Sequence, residues 1–161
     1  MKTIFRYLLL STSIITTSLL FTSCDSDNDG DTIPPVINLI APAEGGTLKI
    51  GDEHGVHLEM ELSDNEMLSS YKVEIHNDFD GHTHTKSLKS EETTPFSFQK
   101  SWDVSGKKNA TIHHHEIMIP ENATPGNYHL MVYCTDAAGN ETYVARDIVL
   151  SHDGEEGDHD H

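Results

Sequence analysis

The sequence predicts an all-β protein, a single β-sandwich of about seven strands, and three observations carry that expectation. Apolar and polar residues alternate with a period of two in several segments, most clearly where Val56, Leu58, Met60 and Leu62 interleave with His57, Glu59 and Glu61. Turn-forming clusters such as Glu44-Gly45-Gly46 and Asp136-Ala137-Ala138-Gly139-Asn140 separate these segments. No segment carries a helical period. At 161 residues the chain has room for one domain and little else.

Residues 1–23 read as a secretory leader and stand outside the fold. Lys2 and Arg6 precede an apolar stretch, and Phe21-Thr22-Ser23 leads into Cys24. Small residues before a cysteine at the end of such a segment resemble the lipobox of bacterial lipoproteins. In that family the leader is cut before the cysteine, which is then lipidated; here that residue is Cys24. Phe21 stands where Leu is usual, and an ordinary cleaved signal or an uncleaved anchor are the competing readings. Residues 24–35 read as an acidic flexible tether. Its Asp25-Ser26-Asp27-Asn28-Asp29-Gly30-Asp31 run resembles the start of an EF-hand loop, but the twelfth position holds Val36 instead of Glu. Acidic residues directly after the lipid cysteine also resemble the surface-export signal of Bacteroidota lipoproteins.

The strands are expected over residues 36–150. Residues 36–40 form an apolar run ended by Pro42, and residues 47–50 a short strand after the glycine turn. The alternating 56–62 segment comes next, then Tyr71, Val73 and Ile75 alternating with Lys72, Glu74 and His76. Phe96, Phe98 and Trp102 mark a fifth segment, and Ile117 and Ile119 lead to Pro120. Tyr128, Leu130, Val132 and Cys134 make the longest inward face, and the Asp136–Asn140 turn reverses the chain into residues 142–150. Residues 151–161, rich in His, Asp and Glu, have no apolar anchor and read as a disordered tail.

The segment Gly126-Asn127-Tyr128-His129-Leu130, followed by the Asp136–Asn140 turn, resembles strands F and G of immunoglobulin-like and fibronectin type III-like domains. Tyr128 then stands at the position of their tyrosine corner, where its hydroxyl ties down the loop before strand F. The antibody-type disulfide is absent. Cys134 is the only cysteine besides Cys24, and it reads as a buried thiol behaving as a small hydrophobe.

Charge and histidine content direct the functional reading. Acidic residues outnumber Lys and Arg by 27 to 10, for a formal net charge of −17, which excludes a nucleic-acid partner. The 12 histidines are clustered: His76, His82 and His84 lie close together, and His113, His114 and His115 are consecutive. Imidazole is the commonest side-chain ligand for zinc and suits copper and nickel as well. In the sandwich, strands C and F are antiparallel neighbours, so His76 at the end of C and His129 near the start of F become cross-strand neighbours on the outer face. The loop carrying His82 and His84 leaves from the same edge, which makes His76, His82, His84 and His129 a candidate metal set. His113 and His115 are further candidates. Counting back from Ile119 and Ile117 puts them on the core side, so a bulge changes the register, or the run precedes the strand, or these residues join a site.

Taken together, the leader, the tether, the single sandwich and the segments 74–84, 113–120 and 126–140 resemble the Bacteroidota lipoprotein family catalogued as domain of unknown function 4625. The resemblance covers roughly residues 34–150. It implies an immunoglobulin-like fold and an outer-membrane lipoprotein, and no established activity. The expected function is therefore an outer-membrane or cell-surface lipoprotein whose sandwich captures or buffers zinc or copper. Its partners would be the membrane, through Cys24, a metal ion and an outer-membrane transporter. No nucleophile motif such as G-x-S-x-G is present, and no catalytic residue is expected. A non-metal adhesion, glycan-binding or protein-interaction module is the competing expectation.

Overall fold

A computed structural model describes residues 30–78 and 93–154. The leader, the lipidation site at Cys24, the loop carrying His82 and His84, and the end of the tail lie outside the described residues.

Among the described residues eight strands form two facing sheets, and no helix occurs. The three-stranded sheet has the order β1 (Val36–Ala41), β3 (Val56–Ser63), β6 (Asn109–Ile117). The five-stranded sheet has the order β2 (Gly46–Lys49), β8 (Glu141–Ser151), β7 (Gly126–Asp136), β4 (Leu68–Asn77), β5 (Phe98–Asp103). All pairings are antiparallel except β2 with β8. This is an immunoglobulin-like sandwich, with β1, β3 and β6 in the places of strands A, B and E, and β4, β7 and β8 in those of C, F and G.

The period-two pattern produces the core directly. Val56, Leu58, Met60 and Leu62 of β3 face Tyr71, Val73 and Ile75 of β4 and Tyr128, Leu130, Val132 and Cys134 of β7, all buried. Their alternate neighbours face outward, which leaves both outer faces free for polar chemistry. The chain changes sheets between β1 and β2 at Gly45, whose φ of 70° suits glycine and whose N–H donates to the Asp147 carbonyl at 2.7 Å.

Two elements differ in extent from the sequence expectation. β5 begins at Phe98, while Phe96 lies before it as a buried core residue whose N–H donates to the Tyr128 hydroxyl at 3.1 Å. β6 starts at Asn109, well before Ile117, so the consecutive histidines lie inside a strand. Tyr128 forms the expected corner: its hydroxyl, fully buried, donates to the Thr124 carbonyl at 2.8 Å.

Candidate metal centre

β3 and β6 are neighbours in the three-stranded sheet, and their outward phases gather histidines. On β3, Val56, Leu58 and Met60 are buried, so His57 and Glu59 point away from the core. On β6, Ala110, Ile112 and His114 pair with Leu62, Met60 and Leu58, which puts all three on the inward phase. His113 therefore projects outward, opposite Glu59. The register then shifts. Val56 pairs with Ile117, so two residues of β6, His115 and Glu116, stand opposite the single residue His57. This bulge turns His115 outward beside His113 and returns Ile117 to the core. Counting back from Ile117 without a bulge had put His113 and His115 on the core side; the extra residue reverses that phase and leaves His114 as the inward member.

The rings of His57, His113 and His115 meet on this outer face. Centroid separations are 4.9 Å for His57–His113, 5.1 Å for His57–His115 and 5.7 Å for His113–His115. One nitrogen from each ring lies within 4.8 Å of the other two. A tetrahedral zinc with bonds near 2.0–2.1 Å separates its ligand nitrogens by about 3.3 Å, so modest side-chain rotation closes the three onto one ion. His115 Nδ1 is out of solvent and has no hydrogen-bond partner among the described residues. Leaving such a nitrogen without a partner costs about 1–3 kcal/mol, and a metal ion bound at that nitrogen would recover the loss. Glu59 Oε2 lies 3.6 Å from His57 Nε2, placed to orient an imidazole or to serve as a fourth ligand.

Gly55 shapes the approach to this site. Its φ is 80°, and a Cβ there would lie 2.2 Å from the His115 carbonyl oxygen and 2.9 Å from the Met118 sulfur. Only glycine lets the chain enter β3 this close to the bulge.

His114 has a structural role. Its Nε2 is 3.1 Å from the Tyr71 hydroxyl, its Nδ1 accepts the Glu116 N–H at 3.3 Å, and its ring lies 4.9 Å from that of Trp102. Burial holds its pKa below the usual histidine range, opposed by the charge of Glu116. Glu116 in turn accepts from Lys100 Nζ and from Trp102 Nε1, and these bonds, that from Lys100 foremost, hold its carboxyl below the usual range. These side chains tie β5 to β6 and close one side of the sandwich.

His76 and His129 are direct register partners on β4 and β7, with ring centroids 5.6 Å apart, as the C–F neighbour argument expects. Both nitrogens of His129 already face carboxylates, Nδ1 to Asp147 at 2.8 Å and Nε2 to Asp78 at 3.4 Å. An ion there would have to displace or recruit them. The candidates lie apart, as two groups: His113 and His115 on the three-stranded sheet, His76 and His129 on the five-stranded one, with His82 and His84 outside the described residues. His57 was not among the candidates. B and E are neighbours in such a sandwich, but His57 meets His115 only because the β6 bulge turns that ring outward.

Cys134 is fully buried between the sheets, away from both outer faces. Burial pushes its thiol up to about 11, with Asp64 and Asp136 adding to the shift.

The fold is thus an immunoglobulin-like sandwich, and its distinctive site is a set of three convergent imidazoles on one outer face. The chain belongs to the family described as Domain of unknown function (DUF4625), which matches residues 22–151. Among curated proteins no match is found.

Proposed function

We propose that this protein is a Bacteroidota outer-membrane lipoprotein, anchored through Cys24, whose sandwich captures or buffers zinc or copper at the cell surface. His57, His113 and His115 are the ligands, with Glu59 beside them. The observation that carries the reading is that one nitrogen from each of three imidazoles lies within 4.8 Å of the other two, with His115 Nδ1 out of solvent and without a partner among the described residues. Nitrogen donors without thiolate suit zinc and copper(II). Three protein ligands leave a coordination position open, so an ion can be taken up and passed on, for instance to a transporter. The net charge of −17 raises the local cation concentration around the domain. The protein acts as a binder, with no catalytic residue assigned.

The test is titration of the detergent-purified full-length protein with zinc and with copper(II). A Kd tighter than about micromolar, roughly −8 kcal/mol, is expected. His57→Ala, His113→Ala and His115→Ala should each weaken it by tenfold or more. The His76→Ala/His129→Ala double variant should bind as the parent does. Unchanged affinity in a His57→Ala/His115→Ala double variant would sink the assignment, and weak binding throughout would favour an adhesion or glycan-binding role.

A further inference from the structure

At the opposite end of β3 from His57, three carboxylates converge from separate parts of the chain. Asp31 belongs to the segment before β1, Asp64 directly follows β3, and Asp136 ends β7. One oxygen from each lies within 4.8 Å of the other two. Among the described residues, every hydrogen bond they receive comes from a neutral amide. Asp136 accepts the Asn140 N–H at 2.8 Å and Asn140 Nδ2 at 2.7 Å. Asp31 Oδ1 accepts Asn65 Nδ2 at 2.9 Å and the Ile33 N–H at 3.0 Å. Asp64 Oδ1 accepts the N–H groups of Glu66 and Met67 at 2.8 and 2.7 Å. None of the three pairs with a Lys or Arg among the described residues.

A second observation points to a missing ligand. Asp64 Oδ2 is out of solvent and accepts no hydrogen bond among the described residues. Asp136, beside it, is only 2% exposed. Asp64 Oδ2 and the Asp136 carboxyl are thus held out of solvent with no Lys or Arg beside them among the described residues, an arrangement that a cation completes.

We propose that Asp31, Asp64 and Asp136 form a calcium site that clasps the tether to the sandwich. The donors are all oxygens, which selects a hard cation over zinc or copper. Ligands drawn from three separate segments suit the adaptable six to eight oxygens around Ca²⁺ better than the strict octahedron of Mg²⁺. Asp31 stands seven residues after Cys24, so the ion fixes where the chain from the anchor meets the domain. The EF-hand-like run thereby contributes its last carboxylate to a site completed by Asp64 and Asp136 from distant parts of the chain. His57 and Asp64 are seven residues apart along β3, about 23 Å at 3.3 Å per residue, so this site is separate from the histidines and independent of their assignment.

The test uses detergent-purified full-length protein freed of divalent ions by chelation. Calcium titration should show one site with a Kd of about 10⁻³ M or tighter, together with a rise in unfolding temperature. Amide NMR signals of residues 31, 64–67 and 136–140 should shift. Asp64→Asn and Asp31→Asn should each weaken binding at least tenfold. Asp31 lies outside both sheets, so its variant tests the site even if an Asp136 variant does not fold. Shifts confined to the acidic tail, or unchanged affinity in the Asp31→Asn/Asp64→Asn double variant, would overturn the proposal. Equal affinity for Mg²⁺ would overturn the calcium assignment.

Discussion

The Tyr128 hydroxyl and the His114 ring each hold two segments together, and each can be probed by one substitution. The hydroxyl donates to Thr124 and accepts from Phe96 inside the core. Tyr128→Phe should cost about 1–3 kcal/mol, because it leaves buried backbone groups without partners; urea unfolding with an unchanged m-value is the measurement. His114 makes the protein sensitive to acid. Because Nδ1 accepts the Glu116 N–H, the neutral ring carries its proton on Nε2, facing Tyr71. Protonation of Nδ1 breaks that bond and charges a half-buried ring. The folded-state pKa is depressed, so near and below the unfolded value the unfolded chain binds more protons than the native one. Stability should therefore fall as pH drops through about 6.5. Comparison of metal-free parent and His114→Gln by denaturant titration between pH 5 and 8 should show a shallower pH slope in the variant.

At the scale of the element, the bulge in β6 decides which histidines reach the outer face. Ile117 and His114 both point inward although two residues lie between them, a spacing that an unbulged strand forbids. Gly55 packs against this bulge with a positive φ. Gly55→Ala should destabilise the domain by about 1–3 kcal/mol, combining backbone strain with a clash against the His115 carbonyl. It should also weaken zinc binding by displacing His115. Thermal unfolding and zinc titration of the same variant check both effects; full zinc affinity in a destabilised variant would show that Gly55 serves the fold alone. The pairing of His76 with His129 was legible because the C–F neighbourhood is a property of the sandwich and neither strand is bulged there. His57 was legible on the same logic through B and E, but only its partners' phase on β6 makes it part of a cluster, and that phase depends on the bulge.

Over the whole molecule, the sandwich keeps its two candidate sites apart by chemistry and by distance. Nitrogen donors occupy the face near the start of β3, and oxygen donors the end beyond its last residue. The whole chain carries a formal net charge of −17 and its acidic excess extends through the sandwich, so self-repulsion opposes the compact state. In chelator, raising monovalent salt from about 20 to 200 mM shortens the Debye length several-fold. That should stabilise the protein by about 1 kcal/mol, a rise of roughly 4 °C in Tm for a domain of this size. A scanning calorimetry series in NaCl measures it, and a flat response would mean that the charges are already neutralised.

The sequence by itself determined the all-β class, the order of the strands, the inward faces of β3, β4 and β7, and the corner role of Tyr128. Those features follow from periodicity and turn chemistry, which are local. Tertiary structure decided the rest. It turned His113 and His115 outward through a one-residue bulge, brought His57 beside them from a distant strand, and gathered Asp31, Asp64 and Asp136 from three separate parts of the chain. A metal-ligand cluster depends on which strands are neighbours and on their register. Both are set by packing between the sheets, and a shift of a single residue exchanges the core face for the outer one.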